Sequence, residues 1–306
     1  MILSIIVALY NDRENLNRFL GRITFATLDK RIEFLFIDDG SSDFYDDIIE
    51  GENISNSLLI KQTNGRQGKA RNNGLGNAQG IYVWFVDVDD IITNLEIDRV
   101  FKDVLNNTND VLFYDAICEG VILRSNIKNS SKNDLLKMLA WNTVTVAAWN
   151  KVYNRIFLLK NDIWFIENRK FEDLYFAIVT CLKMNSWNYS PSLIYTYLIN
   201  HNSTTNTFNE QIVDVFYVLM ELKHVLIEKH KDIYIQMVYV HGLKYTLIRL
   251  LKSKNLALVK YIFESKIVVK VIAEFPFRYQ VRMMPIAFLY KICIFFCTKY
   301  NKLMRK

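Results

Sequence analysis

Gly80-Ile-Tyr-Val-Trp-Phe-Val-Asp-Val-Asp-Asp90 is the stretch whose reading decides the fold. Ile81 to Val86 are consecutive apolar residues, branched or aromatic and preceded by a glycine, the pattern of a strand buried on both faces of a mostly parallel sheet. The strand runs directly into carboxylates. Side chains alternate along a strand, so Asp87 and Asp89 leave the same face if the extended geometry continues, close enough to share one hard cation through oxygen ligands. Such a cluster is costly unless a metal, a substrate or water offsets the repulsion. The plainer alternative is a solvated turn in which Asp90 caps the next helix.

Outward from that strand, the first half of the chain alternates strand and helix patterns. Ile2 to Leu9 reads as a first strand and Ile32 to Ile37 as a second, which ends in Asp38-Asp39-Gly40-Ser41-Ser42-Asp43; Leu58 to Ile60 is a short third. Asn11 or Asp12 can cap a helix that places Leu16, Phe19, Leu20 and Ile23 on one face. Gly65 to Gly80 is a glycine-rich connection plus a helix that feeds the central strand. The alternation predicts an α/β fold with a mostly parallel sheet, right-handed crossovers and ligands outside the carboxyl ends of the strands. Both acidic clusters lie at that edge.

With 306 residues, 51% hydrophobic and 23% charged, the chain can bury a large core and fits one large domain plus an appendage or two domains. The net charge of +6 is concentrated at one end: from Lys266 onward there are nine Lys or Arg and one acid, against 29 and 31 in the preceding 265 residues. A basic tail on an otherwise balanced chain gives no indication of nucleic acid as a partner. Cys118, Cys181, Cys293 and Cys297 form no C-x-x-C pair, which predicts reduced thiols in a cytoplasmic protein. Met1 to Leu9 has no basic segment before it and no small-residue cleavage site after it, so it reads as a strand and not as a secretion signal.

Four segments in order, Ser4-Ile-Ile-Val-Ala-Leu-Tyr-Asn11, Phe36-Ile-Asp-Asp-Gly-Ser-Ser-Asp43, Gly68-Lys-Ala-Arg-Asn-Asn-Gly74 and the strand Gly80 to Asp90, resemble those of family 2 glycosyltransferases of the GT-A fold. Farther on, Trp149-Asn-Lys-Val-Tyr and Phe171-Glu-Asp-Leu-Tyr-Phe resemble that family's acceptor-side segments, so the resemblance runs from Met1 to about Thr205. It implies a GT-A nucleotide-sugar-binding and catalytic domain over residues 1–207, a Rossmann-like sheet flanked by helices, and a helical C-terminal region over 208–306. Two departures are visible: Ala8 stands where the family usually has Pro, and Leu198 near where it often has Arg.

The resemblance also implies roles. Ala8, Tyr10, Asp39, Arg71, Asp87 and Val88 fall on the nucleotide; Asp89, with Asp87 directly or through water, falls on Mg²⁺ or Mn²⁺; Asp173 is the base; Glu172, Trp149 and His201 lie on the acceptor side. The chemistry fits these residue types. Breaking a sugar–diphosphate bond develops negative charge that a divalent cation stabilises, and the attacking hydroxyl must lose a proton that a positioned carboxylate can take. Oxygen ligands suit either metal. Without the resemblance, Arg71 reads as a solvated helix charge, Asp43 as a turn residue, and Glu172 and Asp173 as first-turn acids favoured by the helix dipole.

Other motifs fail. Gly65-Arg-Gln-Gly-Lys-Ala lacks the first glycine and the final Ser or Thr of a nucleotide-phosphate loop, because Thr63 and Ala70 stand there. A haloacid dehalogenase-type phosphatase expects Thr or Val where Ile91 stands. His201, His224, His230 and His241 show no metal-ligand spacing.

After Thr207, the runs Ile212 to Lys229 and Ile233 to Leu251 repeat apolar residues at helical spacing. On a helix from Ile286, the residues Leu289, Tyr290, Cys293, Phe296, Cys297, Tyr300 and Met304 share an apolar face, with Lys291, Lys299, Lys302, Arg305 and Lys306 opposite. Lys291 interrupts a membrane span, so the pattern favours a helix lying on an anionic cytoplasmic membrane surface, with a terminal helix docked on the core as the alternative. The sequence thus predicts a metal-dependent inverting glycosyltransferase, peripheral on the inner face of the cell membrane. It moves a sugar from a UDP-linked donor to a glycan or lipid-linked acceptor in surface polysaccharide synthesis. The competing reading is a catalytically silent binding or scaffolding protein that keeps the fold.

Overall fold

A computed structural model describes residues 1–51, 56–199 and 210–246. The chain divides into two compact units, residues 1–139 with 143–200 and residues 140–142 with 201–306. The boundary expected at residue 207, the acceptor-side His201 and the basic helix from Ile286 lie outside the described residues.

In the first unit the elements follow as β1 (Leu3–Leu9), α1 (Arg13–Leu20), β2 (Ile32–Asp38), α2 (Asp46–Gly51), β3 (Ser57–Lys61), α3 (Arg66–Asn77), β4 (Tyr82–Asp87) and α4 (Asn94–Leu105). Then come β5 (Val111–Cys118), β6 (Val121–Leu123), α5 (Lys132–Ala140), β7 (Lys151–Asn154), α6 (Arg155–Lys160), α7 (Glu172–Lys183) and β8 (Trp187–Tyr197). One sheet takes the order β3-β2-β1-β4-β7-β5-β6, and β8 pairs with β5. β3, β2, β1 and β4 are parallel, as the alternation predicted. β7 runs antiparallel to both β4 and β5, while β8 is parallel to β5.

β1, β2 and β4 have apolar residues on both faces because both faces are covered. Ile5, Val7, Phe36, Trp84 and Phe85 are fully buried. Two expectations about the central strand need correction. Ile81 is 47% exposed, so the strand starts at Tyr82, and it ends at Asp87. Val88 to Asp90 form a turn in which the Asp90 N–H donates to the Asp87 carbonyl at 3.2 Å, so extended geometry does not carry through to Asp89. α4 is capped instead by Thr93, whose side chain accepts from Leu95 N–H while Glu96 accepts from Thr93 N–H.

Two glycines set how closely α3 sits on the sheet. A Cβ at Gly74 would lie 2.3 Å from Ile6 Cγ2, and one at Gly68 would lie 2.3 Å from the Ile166 carbonyl oxygen. Only a residue without a side chain brings this helix so near both β1 and the segment ahead of α7.

The second unit is helical where it is described. α8 (Asp214–Leu226) buries Phe216, Leu219, Leu222 and Leu226; α9 (Lys231–Met237) continues into a wider π-wound segment, Val238–Lys244. Among the described residues no helix is long and apolar enough to cross a membrane.

Candidate functional site

The carboxyl ends of the parallel strands bring the acidic clusters to one edge. Asp39 follows β2 and is 3% exposed; its carboxylate accepts from Gly65 N–H at 2.8 Å and from Gln62 Nε2 at 2.7 Å. Asp38 is spent on its own turn, accepting from Ser41 N–H at 2.9 Å. Asp43 lies in a bend three residues before α2, as a turn residue would. Ala8 pairs with Ile37 on one side and Asp87 on the other, at the mouth of the sheet; Tyr10 stands just beyond and is exposed.

At the centre is Arg71, and it is no solvated helix charge. It is 2% exposed and donates to Asp87 Oδ1 at 2.8 Å, to Glu172 Oε1 at 3.0 Å and to Asp173 Oδ1 at 2.7 Å. The guanidinium also lies 5.3 Å from the centroid of the Phe165 ring. One side chain thus gathers an acid 16 positions away and two acids 101 and 102 positions away. Gln67 adds a second donor to Asp87 Oδ1 at 2.7 Å. Asp87 and Asp89 are both half-buried, at the end of β4 and in the turn after it.

One guanidinium against three carboxylates leaves negative charge in excess, and burial amplifies the cost of that excess. Burial, with Asp173 beside it, pushes the Glu172 carboxyl up to about 7 against the opposing pull of Arg71. Burial also raises the Asp173 carboxyl, with Arg71 lowering it and Asp87 adding to the rise. Burial opposes the Arg71 cation, but Asp173, Asp87 and Glu172 outweigh it and hold the proton more firmly than usual. Glu172 and Asp173 occupy the first turn of α7 as the sequence suggested, and they are drawn inward to Arg71.

Asp90 departs from the capping role. It is 1% exposed, and it accepts from Tyr195 Oη at 2.7 Å and from Leu198 N–H at 2.8 Å; Tyr195 Oη in turn accepts from Asp87 N–H at 3.0 Å. Burial and the nearby Asp87 push the Asp90 carboxyl up to about 8. This network ties the turn after β4 to the end of β8. Leu198, where the family often has Arg, contributes its backbone there. Trp149 is buried and stacks on Tyr195, with centroids 4.7 Å apart and planes 7° apart, and on Tyr197 at 5.7 Å and 10°. Val88 is buried inside the turn.

Three non-glycine residues around the site hold left-handed backbone: Asn11 (φ 49°), Arg66 (φ 67°) and Phe171 (φ 65°). They stand two residues after β1, at the first residue of α3 and immediately before α7. Strain of this kind persists where surrounding structure fixes a local geometry, and here it orients the entries to both helices that carry site residues. Sequence reasoning missed Gln62, Gln67, Tyr195 and Lys151. Only Lys151 carried a signal, a lone cation between Ala147-Ala148-Trp149 and Val152-Tyr153.

An α/β sheet with buried and strand-end acids gathered at its carboxyl edge places them where open sheets of this class bind their ligands. The profile of glycosyl transferase family 2 matches residues 4–159, and the chain belongs to that family. It is similar to the glycosyltransferase GlyA of Streptococcus pneumoniae, with 26% identity over 78% of this chain and 37% of GlyA, and to the putative glycosyltransferase EpsH of Bacillus subtilis, with 25% identity over 75% and 70%. The chain therefore spans little more than a third of GlyA. Among solved structures, residues 1–349 of Staphylococcus aureus TarS in complex with UDP-GlcNAc superpose with a TM-score of 0.63 at 21% identity, over 82% of this chain and 73% of that one, a likeness of fold.

Proposed function

We propose that this protein is an inverting glycosyltransferase that moves a sugar from a UDP-linked donor to a hydroxyl of a glycan or lipid-linked acceptor in surface polysaccharide synthesis. The observation that carries the reading is the convergence of Asp87, Glu172 and Asp173 on the buried Arg71. A silent scaffold has no need to bury three carboxylates around one cation, an arrangement more costly than an apolar core of the same volume. Family membership and a solved likeness that binds UDP-GlcNAc support the donor class.

Asp39 and the Gly65 N–H it holds lie at the end of β2, where the nucleotide of the donor sits in this reading. Among the described residues no group of three or more His, Cys, Asp or Glu is arranged to hold a metal alone. Asp87 and Asp89 offer oxygen ligands only, which fits an Mg²⁺ or Mn²⁺ ion that takes one or two carboxylates from protein and the rest from phosphates. When bound, that ion neutralises charge on the departing diphosphate. Arg71 and Gln67 both donate to Asp87 Oδ1 and hold that carboxylate at the end of β4. Asp173 accepts the proton of the attacking hydroxyl, and its raised affinity for a proton suits it to that step near neutral pH. A single displacement inverts the anomeric centre. In this reading Glu172, Trp149 and His201 serve the acceptor, and the basic segment from Ile286 holds the enzyme at an anionic membrane surface.

The test is a screen of nucleotide-sugars for nucleotide release with Mg²⁺, Mn²⁺ or chelator. The reading requires release from one donor that chelation abolishes. Binding without release from any donor, with acceptor extracts supplied, supports the silent scaffold instead. The membrane part is tested separately: deleting residues 286–306 should release the protein from anionic vesicles and leave donor hydrolysis intact. If the intact protein ignores such vesicles in sedimentation, that part falls.

A further inference from the structure

The N–H of Asp87 is the last of β4, and no strand accepts it. Tyr82 N–H donates to the Ile2 carbonyl on the β1 side, so alternation sends Asp87 N–H, five residues on, to the opposite side. β7 lies there but pairs with β4 only from Tyr82 to Trp84. A main-chain donor left in that position needs another acceptor. It meets the Tyr195 hydroxyl, 3.0 Å away near the end of β8.

Tyr195 is itself held fast. It is 1% exposed, stacks on Trp149 and meets Trp84 edge-on at 6.4 Å, and its hydroxyl donates to Asp90 Oδ2 at 2.7 Å. Asp90 is engaged through every polar atom it has. Its N–H donates to the Asp87 carbonyl at 3.2 Å, its carbonyl accepts from Arg22 Nη1 at 3.0 Å, and its other carboxyl oxygen accepts from Leu198 N–H at 2.8 Å. The next residue, Ile91, exchanges two backbone hydrogen bonds with Thr196, each at 3.0 Å. One hydroxyl therefore joins the N–H that opens the turn after β4 to the side chain that closes it.

Resting on the reading of Asp87 and Asp89 as ligands of a divalent cation, we propose that Tyr195 is a positioning residue, whose hydroxyl bridges Asp87 N–H and the Asp90 side chain and so fixes the spacing of the Asp87 and Asp89 carboxylates. Extended geometry ends at Asp87, so the strand does not set the separation of the two acids. Their like charges push them apart. Mg²⁺ tolerates little departure from its preferred geometry, and groups behind the ligands commonly decide how well a site holds its ion. The bridge from β8 supplies the constraint that β4 alone lacks.

Tyr195→Phe deletes this one oxygen and keeps the ring with its stacking. The experiment is titration calorimetry of the whole chain with UDP, at one fixed Mn²⁺ concentration and in chelator. Loss of a group behind the ligands predicts a UDP affinity lower by about 10- to 100-fold in Mn²⁺ and unchanged in chelator. A hydroxyl that serves the fold alone would lower both affinities equally. That result overturns the proposal, as does a variant that matches the wild type in Mn²⁺. If the wild type itself binds UDP equally well in Mn²⁺ and in chelator, the metal reading fails and takes the proposal with it, so the two failures are distinguishable. Should Tyr195→Phe not fold, Asp90→Asn keeps an oxygen for Leu198 N–H and removes the acceptor of the Tyr195 hydroxyl, and the same comparison of Mn²⁺ with chelator decides.

Discussion

Replacing Arg71 by Met removes the cation at the centre of the acids while keeping an unbranched apolar stem. Three charge-assisted bonds, at 2.7, 2.8 and 3.0 Å, disappear, and Asp87, Glu172 and Asp173 are left facing one another. Removing one partner of a buried ion pair costs about 3–5 kcal/mol, chiefly through the charge that remains uncompensated. For a unit of this size that corresponds to a Tm lower by roughly 6–20 °C. The loss should depend on pH in a defined direction. Without Arg71 the buried Glu172 and Asp173 carboxyls hold protons in the folded state that the unfolded chain has already released. Stability of the variant therefore falls as pH rises from about 4 upward, the same sign as Glu172 in the wild type, whose carboxyl stands at about 7. Urea unfolding at pH 5.5 and pH 8, followed by fluorescence of the buried Trp84 and Trp149, reads both effects. Adding Glu172→Gln should restore part of the stability at pH 8, since one uncompensated charge is gone. A cost under about 1 kcal/mol, typical of an exposed pair, would refute the reasoning, as would a cost that does not change with pH.

Asp89→Asn should lower Mn²⁺-dependent nucleotide affinity by roughly 10-fold or more, since even groups behind the ligands commonly contribute 10- to 100-fold. Isothermal titration with and without Mn²⁺ checks this, and equal affinity at saturating Mn²⁺ would remove Asp89 from the metal site. Gly68→Ala pits two effects against each other. A helical alanine gains about 1 kcal/mol over glycine, while a Cβ 2.3 Å from the Ile166 carbonyl oxygen forces apart α3 and the segment before α7, at about 1–3 kcal/mol. The contact should win, so urea unfolding should show a less stable variant; a net gain in stability would mean that the helix shifts freely.

The parallel half of the sheet was legible because β1, β2 and β4 carry apolar residues on both faces and end in acids or turn residues, a pattern local to each strand. The other half was not. β5, β7 and β8 meet through antiparallel and bulged pairings, and nothing in Lys151–Asn154 announces that it inserts between β4 and β5. Short-range rules offer Asp90 only the alternative of capping the helix that follows, whereas its partners, Tyr195 and Leu198, lie more than a hundred residues away. The same distance hid the role of Arg71. Most of α3 around it is polar or glycine, and only the fold places Phe165, Glu172 and Asp173 around it. What the resemblance supplied was a set of positions; the geometry adds that Asp87, Glu172 and Asp173 form one electrostatic unit.

The most direct test of that unit as a transferase site is Asp173→Asn, assayed for transfer to acceptor and, in parallel, for donor binding. Asparagine keeps an oxygen for Arg71 and loses the ability to take a proton. Transfer should fall by roughly 10²–10⁴ with donor affinity unchanged, the signature of a lost general base. Transfer within a few fold of the wild type would contradict the assignment and hand the proton to another group.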